Sequence, residues 1–298
     1  MRSHIYSYWS HCKLFRRIHS HTLHTEFHFV ANFRTMDMDS SDSIPESPLR
    51  TNMEFAVEMS CQGCESTVRK ALENVAGIKV LSVDAAAERV LLESALPSTQ
   101  VQQLIEQTGR QAVLRGVGAP GRSLGQQLGA AVVEFYGIGG VKGVTRFVQL
   151  ARDRCIIDGT LDGLSPGRHG LAICENGDLS RGCESVGDHY NPEESCHGYP
   201  DSPHAHAGDL GNIDADAGGR AAFRLVNRRL NIWNVIGRSL VVHAREDDGR
   251  TPIDGNAGPK IACGIIARSA GIMENTKKIC SCSGQTLWEE RDNVKKQS

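Results

Sequence analysis

The chain is predicted to hold two differently built units, an α+β unit of β-α-β-β-α-β order followed by an all-β sandwich or barrel. Three observations predict this. Residues 53–118 alternate between the period of two of a strand and the 3.6-residue period of a helix, in the ferredoxin-like order. Residues 129 to about 271 are short apolar runs split by glycine turns. The composition, 31 glycines and 5% aromatic residues in 298, favours turns and strands over a large helical bundle.

In the first unit Met53 to Met59 alternates as a strand, with Phe55 and Val57 on one side. Val68, Ala71, Leu72 and Val75 make the stripe of an amphipathic helix closed by Gly77. Ile78–Val83 and Arg89–Glu93 read as strands, Pro97-Ser98 opens a second helix with Val101, Leu104 and Ile105 on one face, and Ala112–Val117 is the last strand. After a Gly/Pro/Gln linker the second unit offers Ala130–Tyr136, Val144–Leu150, Ile156–Leu161, Gly170–Glu175, Arg220–Val226, Leu240–Arg245 and Ile261–Ala267. Asn176–Gly219 interrupts it, with eight glycines, three prolines and nine acids against one arginine. A segment of that length without a period reads as a functional or a disordered loop.

The remaining segments flank these units. Residues 1–52 begin His-rich and turn Ser/Pro-rich and acidic, which is linker composition. They are read as a disordered extension, or as lying ahead of a true start at Met36, Met38 or Met53. Arg16-Arg17 with few acids also permits a mitochondrial transit reading. The predicted organisation is 1–52 extension, 53–118 first domain, 119–128 linker, 129–272 second domain and 273–298 flexible tail. A net charge of −2 excludes the global basic field that binds nucleic acid, and no run of 18 apolar residues spans a membrane.

Ten cysteines are too few for a disulfide framework, but some come in close pairs. In Met59-Ser60-Cys61-Gln62-Gly63-Cys64 two thiols stand three apart at a helix start, where the free N–H groups and the helix dipole stabilise thiolates. Exposed, two-coordinate thiolates suit Cu(I) better than zinc, which wants four ligands; a redox pair uses the same spacing. The strand-MxCxxC-helix context resembles the heavy-metal-associated domain of copper chaperones and copper-pumping ATPases. That resemblance gives Cu(I) to Cys61 and Cys64, and makes Met59 a buried packing residue.

In the long loop His189, His197, His206 and Asp209 amount to a possible zinc sphere or to solvated side chains. The order His189-Tyr-Asn-Pro, Cys196-His197-Gly198, His206-Ala-Gly-Asp209-Leu-Gly-Asn212, Leu240-Val-Val-His243 and Gly255-Asn-Ala-Gly258…Ala262-Cys263-Gly264 resembles the Cu/Zn superoxide dismutases over roughly 129–271. The resemblance implies a Greek-key barrel of eight strands, with Zn(II) on His189, His197, His206 and Asp209 and a disulfide between Cys183 and Cys263. Its copper site would use four histidines, of which His189 and His243 remain. Ala172 and Cys174 occupy the other two positions, leaving a vestigial site of His189, His243 and Cys174, unless Cys174 is a small buried apolar residue. The family's guiding arginine is Lys260, and Asp247 is the carboxylate that orients His197. Cys155 and Cys196 read as inert.

Cys280-Ser281-Cys282, after Lys277-Lys278, is the third close pair, two thiols open to a soft metal or an outside sulfur. The whole order, along about 240 of 298 residues, resembles the family of copper chaperones for superoxide dismutase. The resemblance implies a metallochaperone rather than an enzyme. Cu(I) would sit on Cys61 and Cys64, and Cys280 and Cys282 would help deliver it and complete the target's intrasubunit disulfide. A heterodimer with Cu/Zn superoxide dismutase would form through Ile236, Gly237, Arg238 and Ile265, and a homodimer is the alternative resting form. The expected location is the cytoplasm, with the mitochondrial intermembrane space as a second compartment. An active dismutase with an extra metal-binding domain, and a copper-buffering protein, are the alternatives.

Overall fold

A computed structural model describes residues 49–121, 128–275 and 288–289, the Ile138 side chain excepted. The expectations for residues 1–48, for most of the linker and for Cys280 and Cys282 lie outside the described residues. Among the described residues no helix is long and apolar enough to cross a membrane.

The first block runs β1 (Thr51–Val57), α1 (Gln62–Glu73), β2 (Ile78–Asp84), β3 (Arg89–Ser94), α2 (Ser98–Glu106) and β4 (Ala112–Gly118). Its sheet is antiparallel in the order β2-β3-β1-β4. Met53, Phe55 and Val57, on one face of β1, pack with Val68 and Leu72 of α1 and Val101 and Ile105 of α2. These seven side chains are at most 0% exposed, and burying each is worth about 1.5–3 kcal/mol. Helix α1 has Cys61 as its N-cap, without a side-chain cap, and gives way to Gly77 at φ +88°, which an L side chain rarely adopts.

The second block contains β5 (Ala130–Gly137), β6 (Lys142–Ala151), β7 (Arg154–Asp162), β8 (Gly167–Cys174), β9 (Ser180–Cys183), β10 (Asp209–Ala215), β11 (Ala221–Asn227), α3 (Ile232–Val235), β12 (Ser239–His243), β13 (Lys260–Ile265) and β14 (Ala267–Ser269). Eight strands follow the path β10-β8-β12-β13-β5-β6-β7-β11, and β14 pairs with β5. The end strands β10 and β11 lie side by side, so the sheet nearly closes into a barrel around Phe135, Phe147, Leu161, Leu171, Ile173 and Leu240.

The structure departs from the sequence expectation in three places. The segment 176–219 is not structureless, since β9 and β10 lie within it. Strand β10 escaped notice because Gly211 takes φ +78° and the register against β8 shifts between Asp209 and Asn212, which breaks the alternation. The run Ile261–Ala267 is two strands: Ile266 donates to the Arg238 carbonyl and accepts from the Gly237 N–H, interrupting the ladder. Finally, β12 ends at His243, not Arg245.

Both blocks belong to one compact unit, Pro48–Ser298. The Ser98 hydroxyl, at the start of α2, donates to Asp158 Oδ1 on β7 at 3.0 Å, and the Thr99 and Thr160 hydroxyls are 2.6 Å apart. Arg224 on β11 donates to Asp158 at 3.1 Å and reaches the Leu49, Ser94 and Leu96 carbonyls and Thr51 Oγ1. Burial pushes the Asp158 carboxyl upward against the pull of Arg224 and Arg146.

Candidate metal centres

Strand β1 ends at Val57, and the chain crosses Met59-Ser60 into α1, so both thiols sit where the helix offers its unpaired N–H groups. The Cys61 and Cys64 sulfurs are 3.3 Å apart. Cys61 is exposed and Cys64 is buried. Hydrogen bonds from the Ser60 backbone and the Cys61 side chain, set against desolvation, bring the Cys64 thiol down to about 6. Met59 is buried in the core beneath them, as expected. One buried, ionised sulfur beside one exposed sulfur can hold a soft ion while leaving one side open to an incoming ligand.

The second centre is assembled from the long loop. His189, His197, His206 and Asp209 are all buried, with one ligand atom from each within 4.8 Å of the others. Asp209 Oδ1 lies 2.8 Å from His189 Nδ1, 3.2 Å from His197 Nδ1 and 3.3 Å from His206 Nδ1. Ligand atoms about 2.0–2.1 Å from a tetrahedral zinc are themselves roughly 3.3 Å apart, so this donor set fits zinc. His197 Nδ1 and His206 Nδ1 are buried without a hydrogen bond, which is what donors aimed at a cation look like. Burial resists charging of His197, yet Asp209 and Asp247 push it up to about 10, and Asp209 falls well below the usual carboxylate range; the site favours positive charge, and a zinc ion there would displace the His197 proton. The Gly198 and His206 N–H groups hold Asp209 Oδ2 at 3.1 and 3.0 Å.

Around this cluster His197 Nε2 donates to Asp247 Oδ1 at 2.8 Å, as the resemblance implied for that carboxylate. Asn212 fixes Asp247 from both sides, accepting from its N–H at 2.8 Å and donating to its carbonyl at 2.9 Å. Nothing in its sequence motif gives Asn212 this role, and only the shifted register of β10 brings it there. Gly255 is also required: a Cβ would lie 1.8 Å from Asp247 Oδ1 and 2.7 Å from His197 Nε2.

The third centre is incomplete. His189 Nε2 and His243 Nε2 are 3.3 Å apart, and both residues line a cavity of about 860 Å³ with Lys260 and the Cys183–Cys263 disulfide. Burial brings His243 down to about 4, so its ring is neutral, with Nδ1–H donating to the Gly258 carbonyl. Lys260 donates to the Gly187 carbonyl. Ala172 stands opposite Asp209 and Val241 with no donor to offer. Cys174 packs with Val186, Val241 and Cys263, and burial pushes its thiol up to about 12. Cys155 is likewise buried and pushed up to about 12, while Cys196, expected to be an inert thiol, is disulfide-bonded.

The expected partner face is built around a turn at Gly237, φ +85°. Arg238 donates to the Glu175 carbonyl at 2.6 Å and lies 3.9 Å above the Tyr190 ring. Ile265 (41% exposed) and Trp233 (54% exposed) lie on the surface.

Two family models match the chain, the heavy-metal-associated domain over residues 54–111 and copper/zinc superoxide dismutase over 141–266. The chain is 53% identical to the Mus musculus copper chaperone for superoxide dismutase over 80% of its own length and 88% of that protein's. It is 52% identical to the Homo sapiens copper chaperone for superoxide dismutase, over 85% and 93%. It is 31% identical to the superoxide dismutase 1 copper chaperone of Debaryomyces hansenii, over 80% and 94%. Sharing 31–53% of its residues with these relatives over most of their length, and matching both family models, the chain belongs to the family of copper chaperones for superoxide dismutase.

Proposed function

We propose that this chain carries Cu(I) on Cys61 and Cys64 and delivers it to a Cu/Zn superoxide dismutase. The observation that carries this reading is the asymmetric thiol pair, one sulfur buried and one exposed at 3.3 Å, in a chain whose barrel lacks two of the four copper-site histidines. Such a chain can hold copper but has no complete centre at which to cycle it. The low-lying Cys64 thiol keeps one ligand ionised near neutral pH, while the exposed Cys61 lets an incoming thiolate join the ion before an outgoing one leaves.

The domain division that goes with this reading is 53–118 for copper binding and 129–272 for partner recognition, with a tail from 273. His189, His197, His206 and Asp209 would hold Zn(II), which supplies a structural cross-link among the loop, β10 and, through Asp247, the 246–256 turn. Ile236, Gly237, Arg238 and Ile265 would form a heterodimer face by presenting the target with a surface like its own, an isologous patch that also permits a homodimer. Cys280 and Cys282 would take over Cu(I) and, through a mixed disulfide, complete the target's intrasubunit bond. In that step two target thiols lose two electrons and two protons, with dioxygen as the final acceptor. Cytoplasm and the mitochondrial intermembrane space are the compartments in which this target would be met.

Copper-loaded full-length chain mixed with apo-dismutase at limiting copper tests the reading. Activation is expected with the wild type and not with Cys280→Ser/Cys282→Ser, which still binds Cu(I) and still docks. An inactive target after incubation with wild type would leave the chain a copper buffer.

A further inference from the structure

Glu54 is a carboxylate only 3% exposed, on the face of β1 opposite Met53 and Phe55. A buried carboxylate is costly unless donors reach it. The donor that reaches this one is the main-chain N–H of Met273, 219 residues further on. The chain leaving the barrel after β14 therefore comes back to the sheet of the first block.

Independent features mark this as a built seat. Gly116, paired with Glu54 across β1 and β4, has no room for a side chain: a Cβ would lie 2.2 Å from the Gly271 carbonyl oxygen and 2.8 Å from its carbon. Gly271 donates to Glu274 Oε2 at 2.8 Å, closing a short turn, and Ile272 is 8% exposed within it. Met273 takes φ +60°, the left-handed region that a non-glycine residue rarely enters. Its side chain is exposed, so it is the N–H, aimed at Glu54, that this conformation serves.

We propose that Glu54 is a positioning residue for copper delivery: it pins the start of the tail to the copper-binding block, so that Cys280 and Cys282 depart from beside the block that carries Cys61 and Cys64. This rests on the delivery reading above. Cys280 is seven residues beyond Met273, and Cys61 is seven residues beyond Glu54. An extended chain of that length spans at most roughly 25 Å, so the two thiol pairs can meet. Without the pin, the tail would leave from Ser269 at the end of β14, eleven residues before Cys280. Lengthening a tether from seven to eleven residues lowers effective concentration about twofold.

The test uses the full chain with one Cu(I) per molecule and compares wild type, Glu54→Ala, Glu54→Gln and Glu274→Ala. Glu274 is exposed and loosens the same turn without touching the sheet, so it answers the question even if Glu54→Ala misfolds. Glu54→Ala and Glu274→Ala are expected to speed amide exchange at Met273 about tenfold or more, to leave Cu(I) affinity unchanged, and to slow activation of apo-dismutase about twofold or more. Glu54→Gln keeps an acceptor oxygen and is expected to stay near wild type in all three. Unchanged Met273 exchange, or faster exchange with a wild-type activation rate, overturns the proposal. Cys280→Ser/Cys282→Ser is run alongside: if it activates at the wild-type rate, the delivery reading itself has failed, whatever Met273 reports.

Discussion

The Cys61 and Cys64 sulfurs lie 3.3 Å apart at the start of one helix, the first exposed and the second buried. Replacing both with serine removes the soft donors of that loop while Val68 and Leu72 still pack the helix on the sheet. In a competition titration Cu(I) affinity of the copper-binding block is expected to fall by roughly a hundredfold or more, with unchanged circular dichroism. Retained affinity would remove this pair as the copper site.

The low Cys64 thiol has a consequence in protons. Metal ligation requires thiolates, so binding releases whatever protons the thiols carry. With Cys64 at about 6 instead of 9.0, it is already ionised at pH 7.5 and has no proton to give. Calorimetry in buffers of different ionisation enthalpy is expected to show clearly fewer than two protons released per Cu(I) at pH 7.5, with release from Cys64 growing below pH 6. Two protons at pH 7.5 would mean an ordinary Cys64.

Without zinc, His197 Nδ1 and His206 Nδ1 are buried with no hydrogen bond, and Asp209 faces three imidazoles. An ion present at a hundred times its Kd stabilises the folded state by about 2.7 kcal/mol, or roughly 5–10 °C in melting temperature for a domain of this size. Calorimetric melting of the full chain before and after chelation, with zinc counted per molecule, checks this. Asp209→Asn is expected to lose the zinc and the increment together.

Ala172 lies opposite Asp209 with 1% exposure and cannot ligate, so the copper-loaded chain is expected to turn over superoxide orders of magnitude more slowly than a dismutase. Ala172→His with Cys174→His replaces the missing donors at the cost of overpacking, about 1–3 kcal/mol. Dismutase assays of both proteins decide the point. Rapid turnover by the wild type would restore the enzyme reading.

Ile265 offers a 41% exposed aliphatic side chain beside the Gly237 turn. Ile265→Asp is expected to weaken association with apo-dismutase at least about tenfold, the loss of one apolar anchor. Sedimentation would show it, with Cu(I) binding and melting temperature unaffected. An unchanged complex would place the interface elsewhere.

Much of this is legible in the sequence, for identifiable reasons. The switch from strand to helix period at Cys61 placed both thiols at a helix start, and the motif order placed His189, His197, His206 and Asp209 around one point. Strand β10 was hidden by its own glycine and shifted register. Glu54 goes unremarked in the sequence, because nothing local announces that residues 271–274 return to cover it. Ser98, Asp158 and Arg224 are isolated polar residues in sequence, and their meeting depends on contacts 60 and 66 residues apart. Cys174 packs with Val186 and Val241, a surrounding that no spacing rule reports.

The seat between Glu54 and Met273 also fixes an order of events on the ribosome. Every strand pairing of the first sheet is made within residues 51–118, so the copper-binding block can fold while the barrel is still being translated. Its covering turn arrives 219 residues after Glu54, and Arg224 arrives 128 residues after the Leu96 carbonyl it holds. At about 5–20 residues per second, the sheet, complete once Gly118 is made, waits roughly 8–30 s with Glu54 in water. A charged residue at that position keeps the nascent face wetted until its own chain end comes to close it.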